Sequence, residues 1–396
     1  MIRELLIFVY LFTFRLLFQF FKLFPVQNKV VYVTSFLENN INIYNEQKRQ
    51  DYTCRTIFLT RKDFINHLKQ YKDDHTDIIL FNLRSPYQFI KGIFHLATSR
   101  VILVDNYFGF LSAIKFKQDV TCIQLWHANG AIKKFGLLDP GNNTRTLTAM
   151  NRFQKVYNQF HKIIVGSDKM QEIFKKAFGL DDSRFIKSGI PRTDIFYNHE
   201  LIEEKKEKLY NKFPHLQGKK ILLYAPTYRN EDLENFELNL DLELMTTELA
   251  TRGYILLLKL HPAIKQGVEI PNNCSHFVYD FSKISNTNDL LFITDILITD
   301  YSSLPFEFSI LEKPMIFYPY DFDDYKNERG FWDDYHQLVP GPVVLSTAKI
   351  ISLITESKFN IGKVKEFKQE WNQYSNGNSS KEIARYIHSL INNKNL

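Results

Sequence analysis

Short apolar runs rich in β-branched residues alternate with polar, helix-like segments along most of this 396-residue chain. Each run is largely continuous rather than alternating, which is typical of strands buried on both faces. Strands separated by helical segments form parallel sheets flanked by helices, so the sequence predicts an α/β fold. The predicted strands are residues 29–34, 56–59, 77–81, 100–104, 121–125 and 162–165, then 220–224, 254–260, 276–279, 296–299 and 315–318.

The alternation is interrupted once, at residues 199–213, by a stretch dense in Glu and Lys that indicates a solvated helix or a linker. A chain of this length can hold two domains of ordinary size. We predict an N-terminal helix at 1–28, a first α/β domain at 29–200, a linker helix at 201–218, a second α/β domain at 219–346 and C-terminal helices at 347–396. Two successive α/β domains imply a cleft between them.

The formal net charge of +6 is modest, and no RNA- or DNA-binding signature accompanies it. Such a balance suits an anionic membrane surface or phosphorylated substrates without requiring nucleic acid. Cys54, Cys122 and Cys274 are far apart and form no CxxC pair. These sparse cysteines favour a reducing cytoplasm and argue against a disulfide framework or a zinc site.

Residues 2–24 are almost wholly apolar, but a narrow polar stripe that includes Arg15 and Lys22 runs along them. A membrane-spanning helix should not carry that stripe, and no small-residue cleavage site follows, as a signal peptide would need. We expect a helix that lies in the membrane interface. The basic residues expected near lipid phosphates are Arg3, Arg15, Lys22 and Lys29. The alternative is an amphipathic helix packed on its own domain or on a partner.

Residues 296–329 are predicted to form one β-α-β unit, with a helix from Ser303 to about Leu311 and the polar turn DYSS at 300–303 after its first strand. The free N–H groups and the dipole of a helix N-terminus favour an anion, and phosphate is the ligand we expect there. The alternative is a turn that only starts a helix, since Ser303 is a good N-cap residue. Glu307 lies four residues after Ser303 and so does not complete a capping box.

Other polar clusters follow predicted strands, at the edge where open α/β sheets bind their ligands. Their chemistry-bearing side chains are His127, Lys133, Arg192, Thr227, Arg229, His261 and Arg329. A histidine at such a position can accept a proton near neutral pH, and the threonine and arginines could hold phosphate. Each residue also has an ordinary structural interpretation: His127 as a hydrogen-bonded residue, Lys133 as part of a solvated helix start, and Thr227 and Arg229 as part of a plain loop.

Five motifs occur in a characteristic order: GIPRTD at 189–194, YAPTYR at 224–229, LKLHP at 258–262, ITDYSSLPFEFSILEKPMIFYPYD at 298–321 and ERGF at 328–331. Together they resemble the CDP-glycerol glycerophosphotransferase family of wall teichoic acid synthesis. The first histidine motif stands as LWHANGAIKKFG at 125–136, with Ala128 and Ala131 where polymerases of the family typically have a Gly and a Pro. It is more similar to the short primase and single-unit members.

The resemblance implies a GT-B architecture, with two Rossmann-like domains facing a central cleft and CDP-glycerol bound by the C-terminal one. His127 is implied as the base that takes the acceptor's proton, and His261 as a group that steadies the diphosphate or the leaving CMP. The residues implied to bind CDP-glycerol are Thr227, Arg229, Ser302, Ser303, Glu307 and Arg329, and those implied to bind the acceptor or a phosphate are Asn129, Lys133 and Arg192. No cofactor or metal is expected, and Asp300 is expected to be structural, since no second carboxylate lies at metal-ligand spacing.

We therefore expect a peripheral enzyme on the cytoplasmic face of the cell membrane that adds one or few glycerol phosphates to an undecaprenyl diphosphate-linked disaccharide. The expected partners are CDP-glycerol, this lipid-linked acceptor, an anionic membrane surface and other wall teichoic acid enzymes, with no nucleic acid. The alternatives are a poly(glycerol phosphate) polymerase, a ribitol phosphate transferase that uses CDP-ribitol, and a non-catalytic scaffold that docks other wall-synthesis enzymes.

Overall fold

The computed structural model describes residues 2–229, 236–264, 267–284 and 286–392, and the chain forms two compact units. The first unit contains Met1–Ala128, Phe135–Asp194 and Gln373–Leu396, and the second contains Asn129–Lys134 and Ile195–Asn372. The division therefore differs from a simple sequential order in two places. Residues 129–134 belong to the second unit, and the last segment of the chain belongs to the first.

The described strands agree closely with the predicted runs. They are β1 (Gln27–Thr34), β2 (Arg55–Thr60), β3 (Thr76–Leu80), β4 (Ser99–Val104), β5 (Thr121–Gln124), β6 (Lys162–Ile164), β7 (Phe185–Ile186), β8 (Lys220–Ala225), β9 (Tyr254–Leu258), β10 (Val278–Asp280), β11 (Ile296–Thr299) and β12 (Met315–Phe317). Only β7 was not predicted, because two residues are too few to show a hydrophobic pattern.

Helices separate most of the strands, as the alternation predicts. They are α1 (Ile2–Phe21), α2 (Glu38–Arg49), α3 (Lys62–Leu68), α4 (Pro86–Thr98), α5 (Leu147–Tyr157), α6 (Asp168–Phe178), α7 (His199–Lys212), α8 (Leu242–Leu249), α9 (Thr287–Ile293), α10 (Leu304–Phe308), α11 (Phe322–Arg329), α12 (Tyr335–Leu338), α13 (Thr347–Glu356), α14 (Ile361–Trp371) and α15 (Ser379–Asn392).

A seven-stranded parallel sheet in the order β3-β2-β1-β4-β5-β6-β7 forms the centre of the first unit. Apolar residues of its central strands are buried, as expected for a parallel sheet covered on both faces. The C-terminal helix α15 is part of this core, since Ile383 and Ile387 pack with Val30 and Ile43. Asp194 accepts hydrogen bonds from the first two backbone N–H groups of α15, which fixes the start of the helix.

The second unit contains a five-stranded parallel sheet in the order β10-β9-β8-β11-β12. Strands β9 and β10 follow β8 on one side, and β11 and β12 lie on its other side, so the order switches between β8 and β11. In open α/β sheets, ligands bind outside the carboxyl ends of the strands at such a switch point. A ligand site in this unit is therefore expected at the loops after β8 and β11.

Helix α1 packs on the first unit along one narrow stripe. Phe14 and Phe18 are 1% exposed, and Phe14 stacks on Phe110 with the ring centroids 5.0 Å apart. Glu4 adds a bidentate ion pair with Arg152, at 2.7 and 3.1 Å. The rest of the helix presents exposed apolar side chains: Ile2, Leu5, Leu6, Phe8, Val9, Phe12, Leu16 and Phe20. By length and composition α1 could also cross a membrane, although two of its apolar residues are buried in the unit.

The prediction that Lys29 lies near lipid phosphates is wrong, because its side chain is completely buried at the start of β1. Its ammonium nitrogen lies 2.6 Å from Thr98 Oγ1, 3.2 Å from His95 Nδ1 and 3.1 Å from Gln27 Oε1. Burial lowers the pKa of Lys29 to about 7 and that of His95 to about 3. The sequence could not show this cluster, because His95 and Thr98 lie on α4, 66 and 69 residues further along the chain.

Candidate functional site

At the carboxyl edge of the second sheet, Arg229 lies between two carboxylates. Its Nε and Nη2 donate to Asp321 at 2.7 Å each, and its Nη1 donates to Asp300 at 2.8 Å. The three side chains are 13%, 20% and 1% exposed in the order Arg229, Asp321, Asp300. Bidentate geometry and burial make this a strong ion cluster, and it joins the ends of β8, β11 and β12. Diphosphate binding by Arg229 stays a prediction, and both carboxylates already offset its charge.

Three tyrosines surround this guanidinium. Its central carbon lies 5.2 Å from the ring centroid of Tyr301, 5.0 Å from that of Tyr320 and 4.9 Å from that of Tyr325. These distances are within the range of cation–π attraction. The rings of Tyr301 and Tyr325 are stacked 3.8 Å apart, so the aromatic group also fixes α11 against the turn after β11.

The turn after β11 is organised by Asp300 rather than by a helix cap. Its carboxylate accepts from the backbone N–H groups of Thr227 at 2.8 Å and Tyr301 at 2.6 Å, while its peptide oxygen accepts from the hydroxyl of Tyr335. Among the described residues, no group of three His, Cys, Asp or Glu side chains could hold a metal ion. The main partners of the Asp300 carboxylate are an arginine and two backbone amides.

The hydroxyl groups predicted to bind phosphate lie at these same two strand ends. Thr227 Oγ1 is buried and has no hydrogen-bond partner within the described ranges. Ser302 Oγ accepts from the N–H of Leu304 at 3.2 Å, and Ser303 is exposed and makes no capping bond. A buried hydroxyl without a partner is unusual in a native protein, so Thr227 marks a position where a ligand oxygen would be stabilising.

Glu307 is 1% exposed on α10, a helix of five residues followed by a single 3-10 turn at Ser309–Leu311. The predicted helix start at Ser303 is one residue early, because Ser303 occupies the N-cap position and the helix begins at Leu304. A carboxylate is rarely buried in this way without charged or polar neighbours. Its predicted contact with ribose or cytosine stays a prediction.

His261 follows β9 and lies against Tyr228, with the ring centroids 4.4 Å apart. Its Nδ1 accepts a hydrogen bond from the backbone N–H of Ala263 at 3.1 Å, so in the neutral ring the proton is on Nε2. Desolvation, with further contributions from Lys259 and Lys133, lowers the pKa of His261. The exposed Nε2–H is therefore a hydrogen-bond donor.

Residues 129–134, which follow the first histidine directly, pack within the second unit. Asn129 is completely buried, and its amide donates to Asn372 at 2.6 Å, while the amide of Asn372 donates to the peptide oxygen of Phe306 at 2.9 Å. Gly130 lies so close to Phe306 that an added Cβ would be 2.3 Å from the ring. Asn129 therefore holds this segment against α10, and its predicted contact with an acceptor stays a prediction.

Lys133 is brought into the second unit by the same segment. It forms a backbone bridge with Phe331, and its ammonium lies 5.8 Å from the centroid of the Tyr325 ring. Burial lowers the pKa of Lys133 to about 8, and Arg329 and Arg229 act in the same direction while Asp300 opposes them. Arg329 is less enclosed, with its side chain 40% exposed and its Nε 3.2 Å from Glu328. Lys133 is thus a cation close to the carboxylate at the end of β11.

In the first unit, His127 is held on both faces and at two atoms. Its ring stacks between Phe36, at 4.4 Å, and Trp126, at 4.5 Å. Its Nδ1 lies 3.1 Å from the peptide oxygen of Asp105, and its own peptide oxygen accepts from Arg192 Nη1 at 2.7 Å. A peptide oxygen can only accept, so Nδ1 carries the proton and Nε2 has the free lone pair. Burial lowers the pKa of His127, which keeps the imidazole neutral near pH 7.

The sequence did not reveal several residues that form the carboxyl edge of the second sheet and the surroundings of His127. Trp126 has a positive φ of 55°, which is a strained value for an aromatic residue and often occurs beside a functional group. Asp105 and Asp321 escaped notice although each follows a buried strand, the same signal that identified His127 and His261. Arg192 Nη1 donates to the peptide oxygen of His127, and its predicted contact with an acceptor or a phosphate stays a prediction.

The chain is similar to known proteins over most of its length. The family model described as CDP-Glycerol:Poly(glycerophosphate) glycerophosphotransferase matches residues 16–389. The chain is 38% identical to the teichoic acid glycerol-phosphate primase of Bacillus subtilis strain 168, over 98% of this chain and 99% of that protein. It is 36% identical to the teichoic acid poly(ribitol-phosphate) polymerase of Bacillus spizizenii strain W23, over 76% of this chain but only 48% of that protein.

The fold is also that of a solved structure. The wall teichoic acid polymerase TagF superposes with a TM-score of 0.77 at 22% sequence identity, over 99% of this chain and 98% of the solved chain. This likeness shows a GT-B-type α/β architecture, as predicted. The chain therefore belongs to the CDP-glycerol:poly(glycerophosphate) glycerophosphotransferase family, and it is a transferase of teichoic acid biosynthesis.

Proposed function

We propose that this chain is a primase that transfers glycerol phosphate from CDP-glycerol to an undecaprenyl diphosphate-linked disaccharide, or to its first glycerol phosphate, and adds one or few units. The observation that carries the proposal is the geometry of His127. Its hydrogen bond to Asp105 O leaves a neutral imidazole with the lone pair on Nε2, which is the atom a general base needs. The similarity to a glycerol-phosphate primase over nearly the full length of both proteins supports the choice of acceptor and donor.

In the proposed reaction, His127 Nε2 accepts the proton of an acceptor hydroxyl. The hydroxyl oxygen forms a bond to the glycerol-bearing phosphorus of CDP-glycerol, and the bond between that phosphorus and the bridging oxygen breaks. CMP leaves with the electron pair of this bond. His261 has the opposite tautomer, so its Nε2–H can donate a hydrogen bond to the CMP phosphate as negative charge develops there.

We assign the donor diphosphate to the carboxyl edge of the second sheet. The unpartnered hydroxyl of Thr227 and the exposed hydroxyl of Ser303 would donate to its oxygens. Lys133 and Arg329 would offset its charge, and Arg229, which Asp300 and Asp321 hold at the turn, would add to this effect. Ser302 and Glu307 complete the proposed donor site, with Glu307 accepting from a ribose hydroxyl or the cytosine amine.

The enzyme would act at the cytoplasmic face of the cell membrane, where its lipid-linked acceptor lies. Support comes from α1, whose exposed residues include Leu5, Phe8 and Phe12 together with the basic Arg3 and Arg15. An apolar face flanked by cations suits the boundary between acyl chains and anionic headgroups. The buried Phe14 and Phe18 leave this face free, so packing on the first unit and membrane contact are compatible.

The reaction is tested by CMP release with CDP-glycerol or CDP-ribitol, in the presence and absence of the disaccharide lipid. We expect release that requires CDP-glycerol and the lipid, and a product extended by one or few units in mass spectrometry. His127→Ala should lower turnover by about 10²- to 10⁴-fold, the usual contribution of a general base. His67→Ala, at an exposed histidine of the same unit, is the matched control.

Each other outcome identifies a specific error. A long product ladder would mean a polymerase, and release that requires CDP-ribitol would mean a ribitol phosphate transferase. No release with either donor, despite normal folding, would leave the scaffold as the remaining hypothesis. If His127→Ala turns over like His67→Ala, then His127 is not the base.

Membrane contact is tested separately by sedimentation with vesicles that contain anionic lipid. Phe12 is 51% exposed on α1, and burying such a side chain contributes about 1.5–3 kcal/mol. Phe12→Asp should therefore weaken binding by roughly ten- to a hundredfold. Leu345→Asp changes an exposed leucine of the second unit, 68% exposed, and should leave binding unchanged. Equal binding of both variants would exclude α1 as the membrane contact.

A further inference from the structure

Asp105 is a completely buried residue directly after β4, and no step of the proposed reaction uses its carboxylate. One oxygen accepts from the backbone N–H of Ser35 at 3.0 Å. The other accepts from Ser35 at 2.8 Å, from the N–H of Phe36 at 2.9 Å and from the amide of Asn40 at 2.8 Å. Every partner is a donor, and these bonds favour the ionised carboxylate against the burial that raises the pKa of Asp105 to about 7.

These contacts fix a loop that would otherwise be loosely held. The loop leads from β1 into α2, whose N-cap position is occupied by Leu37, a residue with no side-chain acceptor. The amide of Asn40 also donates to the peptide oxygen of Phe36 at 2.7 Å, which closes a small ring of hydrogen bonds around Phe36. The Asp105 carboxylate is therefore the common acceptor that sets the position of the Phe36 backbone.

The Phe36 side chain and the Asp105 backbone both contact His127. The Phe36 ring lies parallel to the His127 ring, with the centroids 4.4 Å apart and an interplanar angle of 15°. The peptide oxygen of Asp105 accepts from His127 Nδ1 at 3.1 Å. A single residue thus sets the orientation of the imidazole through its backbone and the position of the stacking partner through its side chain.

We infer that Asp105 is a positioning residue for His127: its carboxylate anchors the 35–36 backbone so that Phe36 packs against the imidazole while the Asp105 peptide oxygen holds the Nδ1–H tautomer. This inference rests on the proposed role of His127 as the base. Loss of the carboxylate anchor frees the ring to rotate and to exchange tautomers, which lowers the fraction of enzyme with the lone pair on Nε2. Binding of CDP-glycerol, assigned to residues of the second unit, is unaffected by this change.

The test is Asp105→Asn, which keeps the shape of the side chain but turns an NH₂ group toward backbone donors. The imidazole ¹⁵N spectrum reports the tautomer of His127, assigned by the signal that is missing in His127→Ala. We expect one Nδ1–H tautomer in the natural protein and a mixture in Asp105→Asn. We also expect kcat to fall by about ten- to a hundredfold while the KM for CDP-glycerol stays within about twofold.

Leu68→Ala is the control for simple loss of stability, because Leu68 is a completely buried core residue of the same unit on α3. An unchanged His127 spectrum in Asp105→Asn, or a kcat no lower than that of Leu68→Ala, overturns the inference. If Asp105→Asn does not fold, Phe36→Leu takes its place and the same two criteria apply. If the natural protein releases no CMP, the proposed function fails, and the spectrum alone still decides whether Asp105 positions the ring.

Discussion

The ion cluster around Arg229 offers the sharpest quantitative prediction. Replacing Arg229 with Met keeps much of the apolar stem but leaves Asp300 and Asp321 without their common cation. Asp300 is 1% exposed, so its carboxylate cannot regain solvent without opening the turn. Removing one partner of a buried ion pair costs about 3–5 kcal/mol, mostly because an uncompensated charge stays behind. We expect Arg229→Met to destabilise the carboxyl edge of the second sheet by that amount.

Amide hydrogen exchange measures this loss where it occurs. The backbone N–H groups of Thr227 and Tyr301 both donate to the Asp300 carboxylate, so their protection reports the integrity of the turn. A loss of about 3–5 kcal/mol corresponds to a fall in protection of roughly 10²- to 10⁴-fold. Arg61→Met is the matched control, since Arg61 forms an exposed pair with Asp63 and such pairs contribute about 0–1 kcal/mol.

A double substitution tests whether the loss of stability arises from the carboxylates that Arg229 leaves behind. If the cost arises from the stranded carboxylates, Arg229→Met combined with Asp321→Asn should lose less than the sum of the two single variants. Arg229→Lys should recover only part of the protection, because an ammonium cannot make the bidentate contact with Asp321. A protection loss in Arg229→Met no larger than in Arg61→Met, or strict additivity in the double variant, would refute the reasoning.

Three further results are expected. Gly130→Ala should raise the KM for CDP-glycerol several-fold, because its Cβ would meet the Phe306 ring at 2.3 Å, whereas Gly267→Ala has open space and should not. Glu307→Gln should raise the same KM, and an unchanged value would remove Glu307 from the donor site. Burial lowers the folded-state pKa of Lys29 to about 7, below the unfolded value of about 10.4. Between those two pKa values the unfolded chain binds more protons than the folded chain, so the free energy of unfolding should rise with pH. Urea unfolding at pH 7.5 and 9.5 should show a rise up to about 1.4 kcal/mol per pH unit steeper than in Lys29→Met.

Local pattern was sufficient for the elements of the fold. The β-α-β unit at residues 296–329 was predicted with both strands within one residue of β11 and β12, because buried parallel strands are short, continuous apolar runs. The start of α10 was missed by one residue, since Ser303 looks like a capping residue and does not cap. Propensity identifies the kind of residue at a helix start, but the hydrogen bond that forms depends on torsion angles the sequence does not fix.

The sequence could not show which distant side chains each charged residue contacts in the folded chain. Arg229 was predicted as a phosphate contact from its place after β8, and its two carboxylate partners lie 71 and 92 residues further along the chain. Lys29 was assigned to a lipid surface for its charge, and its partners Thr98 and His95 are 69 and 66 residues away. A cation near a strand end can satisfy a buried carboxylate or bind a ligand, and composition and spacing are the same in both cases.

The first histidine motif shows most clearly why spacing can mislead. His127 and Lys133 are six positions apart, and one loop at one sheet edge was the simplest interpretation. The chain instead leaves the first unit after Ala128, because Asn129 reaches Asn372 and Gly130 accommodates the Phe306 ring. One short motif therefore contributes to both units: the imidazole that we propose as the base is positioned by contacts of the first unit, and the Lys133 ammonium by contacts of the second. Substitutions at Gly130 should consequently disturb donor binding without changing the tautomer of His127, although the two residues are only three positions apart.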